Sequence, residues 1–230
     1  MRTLGLVGGV TWHSSARYYT GLNEGVAARL GPFRSADVVM RSLDYGAVRE
    51  ARADGDWRPL GRLVVDAARG LKRAGAEAVV LCSNSLHALA PAVEAQVGLP
   101  LLHIADATAE RALRDGHETL AFFGTGFTMT HPFLRARLEA KGLRVLVPDD
   151  VDAIDAIILE ELARGEVRDA SRDVFLRALD ALVHQGADAM VAGCTEIPML
   201  VGPADTDVPV LDSLELHVEA AVAWLAQDSR

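Results

Sequence analysis

The chain has 230 residues, of which 50% are hydrophobic and 24% charged, and its formal net charge is −9. This length and composition predict one large globular domain or two smaller ones with buried cores. The negative charge argues against nucleic acid and anionic membrane as partners. The sequence has no signal-peptide pattern and no run approaching the roughly 18 apolar residues of a membrane span, so we expect a cytoplasmic protein.

Apolar runs typical of buried strands alternate along the chain with amphipathic segments typical of helices. The predicted strands are 4–7, 38–42, 78–82, 99–104, 119–123, 144–147, 189–194 and 208–211. The predicted helices are 15–30, 59–74, 88–96, 108–115, 132–141, 151–164, 171–185 and 215–227. The polar segment 44–57 is interpreted as a surface loop or a short helix. Such alternation is typical of α/β folds with parallel sheets.

The two cysteines of the chain end two strands of the same kind. Cys82 ends one apolar run and is followed by Ser83-Asn84-Ser85, and Cys194 ends another and is followed by Thr195-Glu196. Small polar residues at a strand-to-helix turn leave backbone N–H groups free to hold an anion. Reduced thiols in such turns are candidates for catalysis, for redox pairing or for inert packing.

An internal repeat supports a division into two similar lobes. Four features recur in the same order: residues 4–9 with 120–125, Gly75 with Gly186, Cys82 with Cys194, and Pro100 with Pro209. The predicted lobes are residues 1–98 plus 212–230, and residues 99–211. Because open parallel sheets bind ligands beyond the carboxyl ends of their strands, facing lobes would place the two thiols on opposite walls of one cleft.

Two thiols on opposite walls can invert a carbon stereocentre. One thiolate removes a proton from one face, and the opposite thiol returns a proton to the other face. We expect the turns after the cysteines to lower the thiol pKa, as helix N-termini do. Ser83, Asn84, Ser85 and Thr195 would hold a carboxylate and stabilise the developing charge. Glu196 either binds an α-ammonium group or assists Cys194, or it is only a helix-start carboxylate favoured by the helix dipole.

Five segments together resemble the aspartate/glutamate racemase family: 8–12, 82–87, 103–108, 124–125 with 128–129, and 193–197. The resemblance implies two pseudo-symmetric α/β lobes, each a mostly parallel sheet flanked by helices, with the active site between them. It further implies two-base catalysis by Cys82 and Cys194 without pyridoxal phosphate or any other cofactor, an amino-acid substrate that Thr125 helps to bind, and a homodimer. Among the branches of the family, aspartate or broad-specificity amino-acid racemases are the most similar.

Some positions bear on substrate choice. Ser85 stands where the family usually has threonine and keeps the hydroxyl, whereas His13 stands where glutamate is common and so bears on specificity. Arg52 matches a position where the family contacts the distal end of the substrate. An arginine there could pair with a side-chain carboxylate and favour aspartate or glutamate. The alternative for Arg52 is a solvated surface charge, and Arg164 is a second candidate for the same task.

Several alternatives remain open at this level. The sequence has no H-E-x-x-H, G-x-G-x-x-G or G-x-x-x-x-G-K motif, so neither a metal nor a nucleotide site is expected. Another reaction of the wider superfamily is possible, such as that of a hydantoin racemase, maleate isomerase or decarboxylase. Decarboxylation needs only one thiol, so two matched cysteines favour racemisation. A ligand-binding or redox-sensing protein with a Cys82–Cys194 disulfide is the non-enzymatic alternative.

Overall fold

The computed structural model of the chain describes residues 1–51 and 55–227. The chain forms two units, Met1–His103 with His217–Arg230, and Ile104–Leu216; we call them unit 1 and unit 2. Among the described residues, each unit contains one four-stranded parallel sheet flanked by helices. The prediction of two α/β lobes with parallel sheets is therefore confirmed.

The sheet of unit 1 has the strand order β2-β1-β3-β4. Its strands are β1 (Leu4–Gly8), β2 (Val38–Ser42), β3 (Ala78–Leu81) and β4 (Leu101–Leu102). The helices of this part of the chain are α1 (Trp12–Leu30), α2 (Tyr45–Glu50), α3 (Arg58–Arg73) and α4 (Ala90–Val97). A last helix, α10 (Ser213–Leu225), begins in unit 2 and continues into unit 1.

The core of unit 1 follows from the hydrophobic periodicity of α3. Its buried residues recur at helical spacing and form one face: Leu60, Val64, Val65, Ala67, Ala68 and Leu71. This face belongs to one hydrophobic cluster with Val7, Val79 and Leu81 of the sheet. Full burial of a valine or leucine side chain contributes about 1.5–3 kcal/mol, so this face holds α3 on the sheet.

The sheet of unit 2 has the strand order β6-β5-β7-β8. Its strands are β5 (Thr119–Phe123), β6 (Arg144–Leu146), β7 (Ala189–Ala192) and β8 (Val210–Asp212). Its helices are α5 (Ile104–Arg114), α6 (Gly126–Thr130), α7 (Pro132–Glu139), α8 (Val151–Ala156) and α9 (Asp169–His184). In its core the rings of Phe123 and Phe175 stack with their centroids 5.4 Å apart. The two sheets thus repeat one topology, as the internal repeat predicts.

Residues 151–164 are helical throughout, as predicted, but they do not form one regular α-helix. Helix α8 ends at Ala156, a π-helical turn covers Ile157–Glu161, and a 3-10 turn covers Leu162–Arg164. Apolar residues at helical spacing predict where a helix lies, but single turns of π and 3-10 helix are too short to be recognised in that spacing. The Glu161 carboxylate accepts hydrogen bonds from Ser171 and Arg168, which holds the end of this segment.

Two smaller differences lie near the predicted site. The helix predicted over 88–96 is preceded by a 3-10 turn at Ser85–Leu89 and begins at Ala90, where Pro91 is tolerated because the first turn needs no N–H donor. The short helix α6 after β5 was not predicted. Within residues 1–51 and 55–227, no helix has the length and apolar character needed to span a membrane.

Gly9 offers a test of the turn that follows β1. Gly9 has φ +93°, and a Cβ there would lie 2.0 Å from the Leu43 carbonyl oxygen, whereas Gly75 has φ +96° with open space around it. Both alanine variants share the cost of a left-handed conformation, about 1–2 kcal/mol. We expect Gly9→Ala to lose about 1–3 kcal/mol more unfolding free energy than Gly75→Ala, because only Gly9→Ala also clashes. Urea denaturation measures the difference, and equal losses would contradict the packing described.

Candidate active site

Cys82 lies at the switch point of the unit 1 sheet. Strands β1 and β3 are neighbours there, and the chain leaves them toward opposite edges of the sheet. Val7 pairs with Leu81, and the Cys82 N–H donates to the Val7 carbonyl at 2.9 Å. The carboxyl ends of strands at such a point form the usual ligand crevice of open α/β sheets.

Cys194 occupies the equivalent place in unit 2. Strands β5 and β7 are neighbours at the switch point of that sheet, and the Gly193 N–H donates to the Phe123 carbonyl at 2.7 Å. Cys194 follows directly. Gly193 is required here, since a Cβ would lie 2.4 Å from the Phe122 ring. Each cysteine therefore stands at the position where its own sheet favours ligand binding.

The Gly8-Gly9 turn borders the Cys82 side. The Ser15 hydroxyl accepts from the Gly9 N–H at 2.8 Å, and the Leu43 N–H donates to the Gly8 carbonyl at 2.9 Å. His13 lies exposed in the first turn of α1, with its ring centroid 3.8 Å from that of Trp12.

The thiol of Cys82 is buried, with 1% of the residue exposed. Burial raises the pKa of this thiol, so it is protonated at neutral pH. The expectation of a lowered thiol pKa is thus wrong. The turn after Cys82 continues into the 3-10 turn Ser85–Leu89 and then into α4, and desolvation of the thiol outweighs any stabilisation of the thiolate by this helix N-terminus.

The polar residues after Cys82 form part of the same turn. The hydroxyl oxygens of Ser83 and Ser85 lie 3.1 Å apart and both residues are partly exposed, whereas Asn84 is buried. The two hydroxyls hydrogen-bond each other, so one O–H of the pair remains to donate to a ligand.

The thiol of Cys194 faces a carboxylate. Its Sγ donates to Glu196 Oε2 at 3.0 Å, and the Thr195 hydroxyl donates to the same oxygen at 2.7 Å. Burial first, and then the charge and hydrogen bond of Glu196, raise the pKa of the Cys194 thiol. The direction is again opposite to the one expected from the sequence. Glu196 lies where a base assisting Cys194 would stand.

Thr125 directly precedes the unpredicted helix α6, at its N-cap position, and is partly exposed. Its hydroxyl lies 2.5 Å from that of Thr128, and the next N–H, that of Gly126, donates to Asp155 Oδ1 at 2.7 Å. Asp155 thus anchors the turn that carries Thr125; Thr128 belongs to the family motif noted in the sequence, whereas sequence reasoning missed Asp155. The Gly-Thr-Gly sequence after β5 predicts a turn, but nothing in it indicates a hydrogen-bond partner 29 residues away.

The structure describes only one of the two arginines predicted to hold the distal end of the substrate. Arg52 lies outside the described residues. Arg164 is exposed at the end of the 3-10 turn Leu162–Arg164, directly before Gly165, whose φ of 78° ends the segment. Across residues 1–51 and 55–227, no three His, Cys, Asp or Glu side chains are grouped so that they could hold a metal ion.

Comparison with known proteins decides the family. The sequence profile described as "Asp/Glu/Hydantoin racemase" matches residues 7–221. The chain belongs to this racemase family. It is similar to a crystal structure from Yersinia pestis, a candidate Asp/Glu racemase by its name, with 42% identity, a TM-score of 0.95, and coverage of 99% of this chain and 100% of that one.

The names of two further relatives of this chain refer to different substrate ranges. An aspartate racemase homologue from Pyrococcus horikoshii OT3 is 29% identical, with a TM-score of 0.87 and coverage of 99% of this chain and 100% of that chain. A broad-specificity amino-acid racemase of Bacillus subtilis is 20% identical over 76% of each chain. The predicted family is confirmed, and so is the prediction of an isomerase related to amino-acid racemases.

The raised thiol pKa values predict a loss of stability at alkaline pH. An unfolded cysteine ionises near pH 9, whereas buried Cys82 stays protonated, so the unfolded state binds fewer protons as the pH rises. The contribution of the buried thiol to the free energy of unfolding is fully present below pH 9. Above pH 9 the free energy of unfolding falls, by up to about 1.4 kcal/mol per pH unit for one thiol. We expect Cys82→Ala to show a shallower decline than the parent in urea unfolding between pH 8 and pH 10. Identical slopes would mean that Cys82 ionises normally in the folded protein.

Proposed function

We propose that this chain racemises an amino acid, using Cys82 and Cys194 as two bases and neither pyridoxal phosphate nor a metal. The observation that carries the proposal is the matched position of the two thiols. Each follows the central strand at the switch point of its own sheet, and each is followed by small polar residues. We further propose that the protein acts in the cytoplasm as a homodimer, on the resemblance to the family.

The contact between Cys194 and Glu196 supplies a first proton transfer. Glu196 Oε2 already accepts the Cys194 S–H hydrogen bond at 3.0 Å. When this proton passes to the carboxylate, the Cys194 thiolate can remove the α-proton of the bound amino acid. Cys82, still a thiol, donates its proton to the opposite face of the α-carbon. One C–H bond breaks, another forms, and the negative charge passes from Cys194 to Cys82.

The raised pKa values favour this chemistry. The α-proton of an amino acid is only weakly acidic, so a stronger base removes it faster as long as enough of that base is deprotonated at the working pH. A desolvated thiolate is a stronger base than one in water, although less of it is present. The protonated Cys82 is the acid that the reprotonation step needs. Burial therefore keeps Cys82 protonated as the acid. Glu196 is proposed to accept the proton of Cys194 and so form the thiolate that acts as the base.

Hydrogen-bond donors would stabilise the intermediate. When the α-proton leaves, negative charge spreads into the α-carboxylate, and donors aimed at its oxygens become stronger partners. We propose Ser83, Asn84 and Ser85 on the Cys82 side, with Thr125 and Thr195 on the Cys194 side. The partial exposure of Ser83 and Ser85, whose hydroxyls hydrogen-bond each other at 3.1 Å, supports this role.

The proposed substrate class follows from the positive charge of two arginines. We propose an acidic amino acid, aspartate or glutamate, with a distal carboxylate held by Arg52 and with Arg164 as the second candidate. The related protein from Pyrococcus horikoshii is named an aspartate racemase homologue, whereas the Bacillus subtilis relative is named for broad specificity. These names support an amino acid in both cases and leave breadth to experiment.

Replacement of either cysteine by serine tests the two-base proposal. We expect Cys82→Ser and Cys194→Ser each to lose at least about a thousandfold in kcat for racemisation, because a hydroxyl is a far poorer base than a thiolate. Chiral chromatography of the products measures the rate, and thermal unfolding verifies that each variant is folded. Racemisation at the parent rate by either variant would exclude the mechanism.

Glu196→Gln tests the activation of Cys194, and its two expected effects point in opposite directions. Removing the carboxylate lowers the pKa of the Cys194 thiol, since Glu196 helps to raise it. Racemisation nevertheless slows, by about 10²–10⁴-fold, because the proton acceptor is gone. Thiolate absorbance in a Cys82→Ala background follows the pKa, and Glu24→Gln, an exposed carboxylate on α1, is the control. Unchanged kcat would assign Glu196 a structural role.

Arg52→Gln tests the substrate class. A charge-assisted hydrogen bond to a carboxylate contributes roughly 1.5–3 kcal/mol, or about tenfold to a hundredfold. We expect kcat/KM for aspartate or glutamate to fall by this factor, while a neutral amino acid such as methionine is spared. Arg164→Gln is the matched comparison. Equal losses on acidic and neutral substrates would show that Arg52 does not hold the distal carboxylate.

A further inference from the structure

A cluster of buried histidines lies beside the Cys82 turn, and the mechanism above does not use it. In the described part of unit 1, the buried histidines are His87, His103 and His217, which are 1%, 5% and 0% exposed. The His87 ring centroid lies 4.5 Å from that of His103 and 5.5 Å from that of His217, both edge to face. Unit 1 ends at His103 and resumes at His217, so the cluster lies where the chain leaves and re-enters this unit.

The geometry assigns the proton of His217. Its Nε2 lies 2.8 Å from the Leu102 carbonyl oxygen, and its Nδ1 lies 2.7 Å from the Tyr18 hydroxyl. A carbonyl only accepts, so Nε2 carries the proton and donates to Leu102. In the neutral ring, Nδ1 then accepts from the Tyr18 O–H. One histidine thus joins the end of β4 to helix α1 in a single tautomer.

The same reasoning shows which nitrogen of His87 carries a proton. Its Nδ1 lies 2.9 Å from the Ser83 carbonyl oxygen, so Nδ1 carries a proton and donates to it. The His87 backbone N–H also donates to the Asn84 carbonyl at 3.1 Å. His87 therefore binds the two carbonyls that directly follow Cys82. The Cys82 N–H is itself bound to Val7 on β1, so the turn is held on both sides of the thiol.

The ring makes this contact in its neutral form. Burial lowers the pKa of His87 well below its ordinary value, and the neighbouring His103 and His217 lower it further. These two rings are the titratable groups that act on His87 from the end of β4 and from α10. Tyr18 of α1 lies beyond His217. A neutral donor holds the Ser83 carbonyl without adding a charge that would change the acidity of the Cys82 thiol.

We propose that His87 is a positioning residue: its Nδ1–H holds the Ser83 carbonyl and so fixes the turn that carries Cys82 and its polar neighbours, while His103, His217 and Tyr18 fix the orientation of its ring. The catalytic meaning rests on the proposed function. The position and exposure of the Cys82 thiol, however, can be measured without turnover. This separates failure of the inference from failure of the proposed reaction.

Two substitutions of His87 separate its hydrogen bond from its bulk. In His87→Asn the side-chain amide can occupy the place of Nδ1 and still donate to Ser83. In His87→Gln the amide reaches toward the place of Nε2 instead. Both variants lose the ring, so a purely structural role predicts similar effects. The two are compared in a Cys194→Ser background, where Cys82 is the only thiol.

The measurement is the rate of Cys82 alkylation by iodoacetamide at pH 8, followed by mass spectrometry. We expect His87→Asn to stay within about threefold of the Cys194→Ser parent, and His87→Gln to react at least about tenfold faster, because a loosened turn exposes the thiol. With Cys194 intact, kcat for racemisation should fall far more in His87→Gln than in His87→Asn, with a smaller change in KM.

A milder pair covers the case in which a His87 variant does not fold. Tyr18→Phe removes the hydroxyl that donates to His217 and keeps the ring, whereas Tyr19→Phe alters a neighbour that is 52% exposed. We expect Tyr18→Phe to speed Cys82 alkylation by about fivefold in the Cys194→Ser background, and Tyr19→Phe to leave the rate unchanged.

Three outcomes decide the inference. Equal alkylation rates in His87→Asn and His87→Gln overturn it. Where one of those variants does not fold, equal rates in Tyr18→Phe and Tyr19→Phe overturn it. The predicted alkylation pattern in a protein that racemises nothing supports the positioning role and overturns the proposed function.

Discussion

Desolvation of the two thiols, with Cys82 buried and Cys194 partly buried, is the constraint on which the proposed chemistry depends. Burial raises the pKa of both Cys82 and Cys194, so the free protein holds two protonated thiols rather than a ready thiolate. A desolvated thiolate is a strong base, and forming it requires a nearby proton acceptor. Only on the Cys194 side do the described contacts of the thiol include a carboxylate, that of Glu196 at 3.0 Å. The two thiols are thus matched in position and different in surroundings.

The shared topology of the two sheets explains why the two thiols occupy equivalent positions. In each unit the strand that precedes the cysteine lies beside the first strand of that unit's sheet, β1 or β5, at the point where the chain turns toward opposite edges. Backbone hydrogen bonds from Cys82 to Val7, and from Gly193 to Phe123, tie each turn to that neighbouring strand. Two copies of one topology therefore yield two equivalent thiols. Differences in the following residues, Ser83-Asn84-Ser85 against Thr195-Glu196, then give each thiol its own chemistry.

Much of this could be predicted from sequence because it rests on local patterns. Apolar runs ending in a cysteine, glycine-bounded turns and a repeated order of features gave the strands, both lobes and both thiols. The direction of the thiol pKa shifts could not be predicted, because it depends on burial and on the contact of Cys194 with Glu196, which only the folded chain shows. The histidine cluster was also out of reach, since Tyr18 and His217 meet across 199 residues of sequence. The contact of Asp155 with Gly126 was missed for the same reason.

The measurement that tests the two-base claim most directly is deuterium incorporation at low conversion. The purified protein is incubated with an L-amino acid in deuterium oxide, and the α-position of both enantiomers is followed by mass spectrometry after chiral separation. Two separate bases predict deuterium in the newly formed D-enantiomer and almost none in the recovered L-enantiomer, because the proton removed by one thiol is not the one delivered by the other. Early deuterium in both enantiomers alike would indicate a single base and contradict the account.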